Sequence, residues 1–272
     1  MKHRDLGALQ GDVLVLGGPY GNLQATRAVF EQAQDRRIAA DHVICTGDVV
    51  AYCGAPAQTV AAVRASGCAV IAGNCEIQLA QKADDCGCGF EQGTTCDRLS
   101  VAWYEFARKQ ITDADRAWMA QLPDVATFTH HGKRYGVIHG GVHDVAAFIW
   151  PSDKDARLLS EWQALEARVG AVDVVLCGHS GLPFVRQTPR GLWVNAGVIG
   201  MPPHDGQAQT RFVLLRKGEV TIETLSYDVA GAVGDMDAAQ LPPDYRDALC
   251  TGYWPSEDVL PEDLRVALSD RG

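Results

Sequence analysis

Four residues able to hold a cation, Asp48, Asn74, His139 and His179, each follow a short apolar run and stand beside a glycine. The runs are Ile44-Cys45-Thr46-Gly47-Asp48, Val70-Ile71-Ala72-Gly73-Asn74, Tyr135-Gly136-Val137-Ile138-His139-Gly140 and Val174-Val175-Leu176-Cys177-Gly178-His179. A buried strand ended by glycine delivers one polar side chain to the carboxyl edge of a parallel sheet, the edge at which α/β proteins bind ligands. Taken singly, each residue reads as a cap, a turn or a satisfied core histidine. Together, a carboxylate, an amide and two imidazoles at four strand ends can converge on one cation.

The elements that must position them follow from hydrophobic patterning. Residues 12–18 read as a first buried strand, and Asn22 as the N-cap of a helix running to about residue 38. The strand ending at Asp48, a helix over 55–65 and a strand over 68–72 complete a βαβαβ pattern, that of a parallel sheet with crossover helices. The rhythm then breaks. Asp84-Asp85-Cys86-Gly87-Cys88-Gly89 is glycine-rich and aperiodic, and Cys96 follows. Helices are expected over 96–109 and 112–121, the second opened by Thr112 and stopped by Pro123. Residues 125–129 and 133–138 read as a hairpin whose turn residues, His130 and His131, are expected in solvent. A helix over 156–169 leads to the strand ending at His179, and short strands follow over 183–187, 191–195, 210–216 and 220–226. Two sheets, each covered by helices on its outer face, fit this order better than one doubly wound sheet. The expected organisation is a domain over 1–228, with a Cys-rich insertion near 84–96, and an extension over 229–272 packed upon it, with helical pieces at 229–238 and 245–249.

Composition narrows the function. The chain has 272 residues, 47% hydrophobic, with a net charge of −10. The acidic balance argues against non-specific binding to nucleic acid or to an anionic membrane. Neither a signal-peptide pattern nor an 18-residue apolar segment is present, so a cytoplasmic protein is expected. Nine cysteines in a reducing compartment read as thiols or metal ligands before disulfides.

Gly47-Asp48, Gly73-Asn74-Cys75-Glu76, His139-Gly140, Gly178-His179-Ser180 and Asn195-Ala196-Gly197 fall in the order and context of the calcineurin-like metallophosphoesterase superfamily, which the chain resembles from about residue 13 to 203. The resemblance implies a four-layer α/β/β/α sandwich with a metal centre at the edge of two mixed sheets, and hydrolysis of phosphomonoesters or phosphodiesters. The family's first motif, Asp-x-His-Gly-Asn, is here Gly18-Pro19-Tyr20-Gly21-Asn22, and its last, Gly-His-Ser/Thr-His, is Gly178-His179-Ser180-Gly181. By the resemblance, all three missing ligands serve one cation, and Asp48, Asn74, His139 and His179 serve the other. A mononuclear centre is therefore expected, suited by its donors to Mn²⁺, Fe²⁺ or Zn²⁺, with a second metal doubtful. One cation keeps the Lewis-acid polarisation of a phosphoryl oxygen and loses the two-metal clamp.

The resemblance puts Cys75 where relatives often carry the histidine that protonates the leaving group. A thiol can do this at neutral pH, less well than imidazole. Tyr20 places a phenol where a ligand is missing. Asp48, Cys75 and Tyr20 are the catalytic candidates, and Asn22, His143 and His204 candidates to touch substrate. Cys86, Cys88 and Cys96 form a possible second metal or thiol site near Cys75. The leading expectation is a divergent metal-dependent phosphatase or phosphodiesterase acting on a small phosphorylated substrate. A non-catalytic binder of a phosphorylated ligand and a thiol–metal sensor are the alternatives.

Overall fold

The computed structural model describes residues 1–266. In chain order its strands are β1 (His3–Ala8), β2 (Val13–Leu16), β3 (Val43–Cys45), β4 (Ala69–Val70), β5 (Val125–His130), β6 (Lys133–Val137), β7 (Val174–Cys177), β8 (Pro183–Gln187), β9 (Leu192–Ala196), β10 (Thr210–Arg216) and β11 (Glu219–Leu225). The α-helices are α1 (Leu23–Asp35), α2 (Pro56–Ser66), α3 (Asn74–Gln81), α4 (Thr95–Gln110), α5 (Asp113–Met119), α6 (Asp155–Val169), α7 (Val229–Ala238) and α8 (Pro243–Thr251).

The strands form two mixed sheets, ordered β1-β5-β6-β7-β9-β8 and β11-β10-β2-β3-β4. Alternation along the strands stacks them face to face. In β2, Val13 and Val15 point between the sheets, while Leu14 and Leu16 join the helix-side core with Val29, Val60 and Leu79. In β7, Val174 and Leu176 fill the space between sheets, and Val175 meets Leu158, Trp162 and Leu165 of α6. Every residue of both strands is buried, as expected of strands covered on both faces. The result is the α/β/β/α sandwich.

The two sheets meet at their carboxyl ends, and glycine makes the approach possible. A Cβ on Gly17 would lie 1.8 Å from the Gly197 carbonyl oxygen, and one on Gly178 would lie 2.3 Å from Thr46 Oγ1. Backbone hydrogen bonds close the seam: Ile199 N–H donates to Gly17 O at 3.2 Å and Gly200 N–H to Gly18 O at 2.9 Å.

Three elements differ from the sequence reading. β1 is a charged, largely exposed edge strand parallel to β5; such an edge shows no apolar alternation, and its charges discourage further strand pairing. α3 begins at Asn74 itself, inside the stretch read as irregular. His130 is buried, its Nε2 2.7 Å from Gly11 O, rather than in solvent. In the C-terminal segment, Ala232, Met236, Tyr245, Ala248 and Leu249 join the same core cluster as α1 and α2. The α7 backbone comes so close to Gly54 that a Cβ there would lie 2.4 Å from Asp235 O. Among the described residues, no helix is long and apolar enough to cross a membrane.

Candidate metal centre

Asp48, Asn74, His139 and His179 stand just beyond β3, β4, β6 and β7, and all are buried. Their inward atoms crowd together. His139 Nε2 lies 3.2 Å from Asp48 Oδ2, 3.1 Å from Asn74 Oδ1 and 3.0 Å from His179 Nδ1. Asp48 Oδ2 and His179 Nδ1 are 3.7 Å apart. Asp48 and His179, like Tyr20 beside them, take left-handed backbone conformations with φ near +55° to +61°, which cost of order 1–3 kcal/mol each and cluster at functional sites.

Neighbouring bonds decide which atoms face inward. His139 Nδ1 is 2.6 Å from the Thr46 carbonyl, so it carries the proton and turns the Nε2 lone pair toward the cluster. Asn74 Nδ2 donates to Cys86 O at 2.9 Å, which turns Oδ1 inward. Asp48 Oδ1 accepts the Cys75 N–H at 3.2 Å and leaves Oδ2 free for the cluster. Asn195 braces the loop of His179 by donating to Gly178 O and accepting from Gly197 N–H, each at 2.9 Å. With both imidazoles neutral, four acceptors face one another with no hydrogen between them. A proton or a cation relieves that repulsion. One carboxylate, one amide and two imidazoles make a set that a borderline divalent cation satisfies.

The charges agree with the geometry. Burial works against ionisation of Asp48, yet His139 and His179 hold its carboxyl well below the usual range. For His139 burial is likewise outweighed, by Asp48 and the Thr46 carbonyl, and its pKa rises; for His179 burial and His139 win, and it falls.

Glu76 was not singled out from the sequence as a site residue, although it lies in a quoted motif. It is fully buried in the first turn of α3, and its carboxylate accepts three backbone N–H bonds: Asp48 at 2.7 Å and Gly73 at 3.0 Å on Oε2, Val49 at 2.9 Å on Oε1. It ties the Asp48 turn to the Asn74 turn. Burial and the Asp48 carboxylate push it up to about 7, against the pull of those N–H groups. The acidic residue one turn into a helix was the available signal; its partners lie far away in sequence.

The calcineurin-like phosphoesterase superfamily domain matches residues 13–217, about three quarters of the chain. The chain belongs to this superfamily. The uncharacterized protein MJ0912 of Methanocaldococcus jannaschii is 22% identical over 247 residues, covering 85% of this chain and 93% of that one. In structure, the chain is similar to the hypothetical protein PH1004 of Pyrococcus horikoshii, with a TM-score of 0.72 at 17% identity, over 90% of this chain and 100% of the other. It is also similar to a metallophosphoesterase from Sphaerobacter thermophilus, with a TM-score of 0.66 at 18% identity and the same coverage.

Near the cluster, aromatic rings lie over two glycines, Gly18 and Gly181. The Tyr20 ring folds over Gly18, its nearest atom 2.4 Å from where a Cβ at position 18 would be. The Trp254 indole lies over Gly181, 2.8 Å from the corresponding Cβ. Both rings line a pocket bounded also by Phe90, Phe148, His179 and Tyr245. Tyr20 Oη donates to the His179 carbonyl at 3.4 Å. Burial, reinforced by Asp48, keeps its phenol neutral.

Other residues singled out from the sequence take different roles. Cys75 is buried in the helix-side core and does not line that pocket; burial and Asp48 push its thiol up. It is a buried neighbour of the centre, its Sγ 3.5 Å from Asn74 Nδ2. The Cys86 and Cys88 sulfurs lie against each other, close to Asn74, while Cys96 lines the aromatic pocket. Asn22 is spent on structure: it caps α1 through Ala25 N–H at 3.0 Å and donates to Gly200 O at 3.2 Å. His143 is exposed and paired with Glu161 at 3.1 Å. His204 is buried in a clamp on the C-terminal segment, its Nε2 2.6 Å from Glu257 and its Nδ1 accepting the Trp254 N–H at 2.7 Å. Neither histidine lines the aromatic pocket.

Proposed function

We propose that the protein is a phosphoesterase working with one divalent cation held by Asp48 Oδ2, Asn74 Oδ1, His139 Nε2 and His179 Nδ1. The observation that carries this reading is the aromatic filling of positions 18, 20 and 181: the ligands that would complete a second cation are absent, and the Tyr20 and Trp254 rings occupy the space their side chains would need. When bound, the cation polarises a phosphoryl oxygen and acidifies water. In the hydrolysis, one ester P–O bond breaks, the oxygen of water replaces it on phosphorus, and a water proton goes to solvent or to the leaving oxygen. The chain's residues fix the geometry. Thr46 sets the tautomer of His139, the Cys86 carbonyl sets the Asn74 amide, and Glu76 holds the Asp48 turn. Tyr20, a neutral phenol at the pocket wall, gives its hydroxyl proton to the His179 carbonyl and so braces the His179 turn.

The test is release of p-nitrophenol from its phosphate monoester and from the bis ester, after chelation and reloading with Mn²⁺, Fe²⁺ or Zn²⁺. Turnover is expected only in reloaded protein, and Asp48→Asn is expected to lower it about 100-fold or more. Metal-dependent binding of inorganic phosphate without turnover of either ester would replace this reading with that of a non-catalytic binder.

A further inference from the structure

The pocket beside the cluster has a chemistry of its own. Tyr20, Tyr52, Phe148, Tyr245 and Trp254 form its walls, His179 connects it to the cation site, and it encloses a cavity of about 60 Å³. Phe148 lies against the His179 ring with centroids 4.6 Å apart and stacks on Trp150 at 5.5 Å with the planes 5° apart. Tyr52 meets both Tyr20, at 4.7 Å, and Tyr245, at 4.5 Å. Among the described residues, none of the side chains lining this pocket is a lysine or arginine.

Resting on the phosphoesterase reading above, we infer that the group esterified to the substrate's phosphate is compact, uncharged and aromatic, and that it lies in this pocket between Tyr20, Phe148 and Trp254. Two observations carry this. First, recognition of a di- or triphosphate chain relies on arginine, lysine or several backbone N–H groups, and the walls supply no cationic side chain. Second, the cavity is far below the several hundred Å³ of a site for a nucleotide-sized ligand, while flat rings at its walls suit edge or face contact with one more ring. The pocket is therefore matched to an aryl ester in shape and in charge.

The roof of the pocket is contributed by Trp254, Pro255, Ser256 and Val259. Trp254 is pinned by Nε1–H donation to Pro202 O at 2.7 Å and by its backbone N–H bond to His204. The C-terminal segment thus supplies the surface that selects the ester group, and Phe90, stacked on Phe148 at 6.1 Å, closes the side.

The test compares non-hydrolysable probes, so that the intrinsic reactivity of aryl esters does not enter. Binding of phenylphosphonate and of methylphosphonate to the protein reloaded with Mn²⁺ is measured by calorimetry, with and without chelator, in the wild type and in Phe90→Ala. Phenylphosphonate is expected to bind about tenfold tighter than methylphosphonate, equivalent to about 1.4 kcal/mol, and Phe90→Ala is expected to shrink that ratio. Equal or weaker binding of phenylphosphonate, with metal-dependent binding of methylphosphonate intact, would overturn this inference and leave the phosphoesterase reading standing. Failure of both probes to bind the metal-loaded protein would overturn the two together.

Discussion

Replacing Glu76 by glutamine probes the part of the centre that is held entirely by backbone. In the native protein Oε2 accepts from Asp48 and Gly73 and Oε1 from Val49. A glutamine turned with its oxygen toward Asp48 and Gly73 sets its NH₂ against the Val49 N–H, leaving a buried donor unpaired at about 1–3 kcal/mol. The two surviving bonds lose the assistance of charge, about 1 kcal/mol each. The metal-loaded protein should therefore lose about 3–5 kcal/mol of unfolding free energy. The metal-free protein behaves differently, because there burial and the Asp48 carboxylate push Glu76 up to about 7. A folded-state pKa above the unfolded value means that this group's contribution is fully present below about pH 4.5 and is lost as pH rises through about 7. A neutral glutamine escapes that loss, so in chelator at pH 8 the deficit of the variant should largely vanish. A deficit confined to the loaded state is a loss of metal affinity; about 3 kcal/mol corresponds to roughly 100-fold. Urea unfolding followed by tryptophan fluorescence, with saturating metal and with chelator, gives both stabilities, and competition with a chelating dye gives the affinity. Unchanged metal affinity in Glu76→Gln, or the same deficit in both states, would refute the argument that Glu76 holds the Asp48 turn for the cation.

Further expectations concern the seam and the replaced ligands. Gly73→Ala places a Cβ 2.3 Å from Asp48 Oδ1, so metal content should fall below half an equivalent by mass spectrometry while far-ultraviolet circular dichroism stays unchanged. Gly17→Ala drives a Cβ into the Gly197 carbonyl and should cost about 3 kcal/mol or more in urea unfolding, at the upper end for overpacking. Gly181→His collides with the Trp254 indole and should destabilise by about 1–3 kcal/mol, a cost that Trp254→Ala should partly relieve in the double variant. A Cys86→Ser/Cys88→Ser protein should keep its metal, because the shorter of the bonds that orient Asn74 goes to the Cys86 backbone carbonyl at 2.9 Å, the contact with Cys88 Sγ being 3.5 Å.

The convergence of Asp48, Asn74, His139 and His179 was legible in the sequence because each is announced locally, by an apolar run, a glycine and a polar residue. The buried strands β2, β3 and β7 and the α/β/β/α layering followed from the same runs and from the change to short strands after His179. What escaped was carried by contacts distant along the chain. Glu76 gains its meaning from Asp48 and Val49, Gly181 from Trp254, and His204 from Glu257. Asn22 and His143 looked available because a sequence does not show that their polar atoms are already bonded. β1 was hidden because an edge strand written His-Arg-Asp-Leu-Gly-Ala has no inward apolar face to alternate. α3 was hidden because it is short and starts on a ligand, where the glycine before Asn74 reads as a loop.

The measurement that bears most directly on the account is the number of divalent cations per chain, by mass spectrometry on protein purified without chelator or metal-binding tag and reloaded with Mn²⁺, Fe²⁺ or Zn²⁺. The account predicts one equivalent, lost in His179→Ala. Two equivalents, or one that survives that substitution, would contradict it.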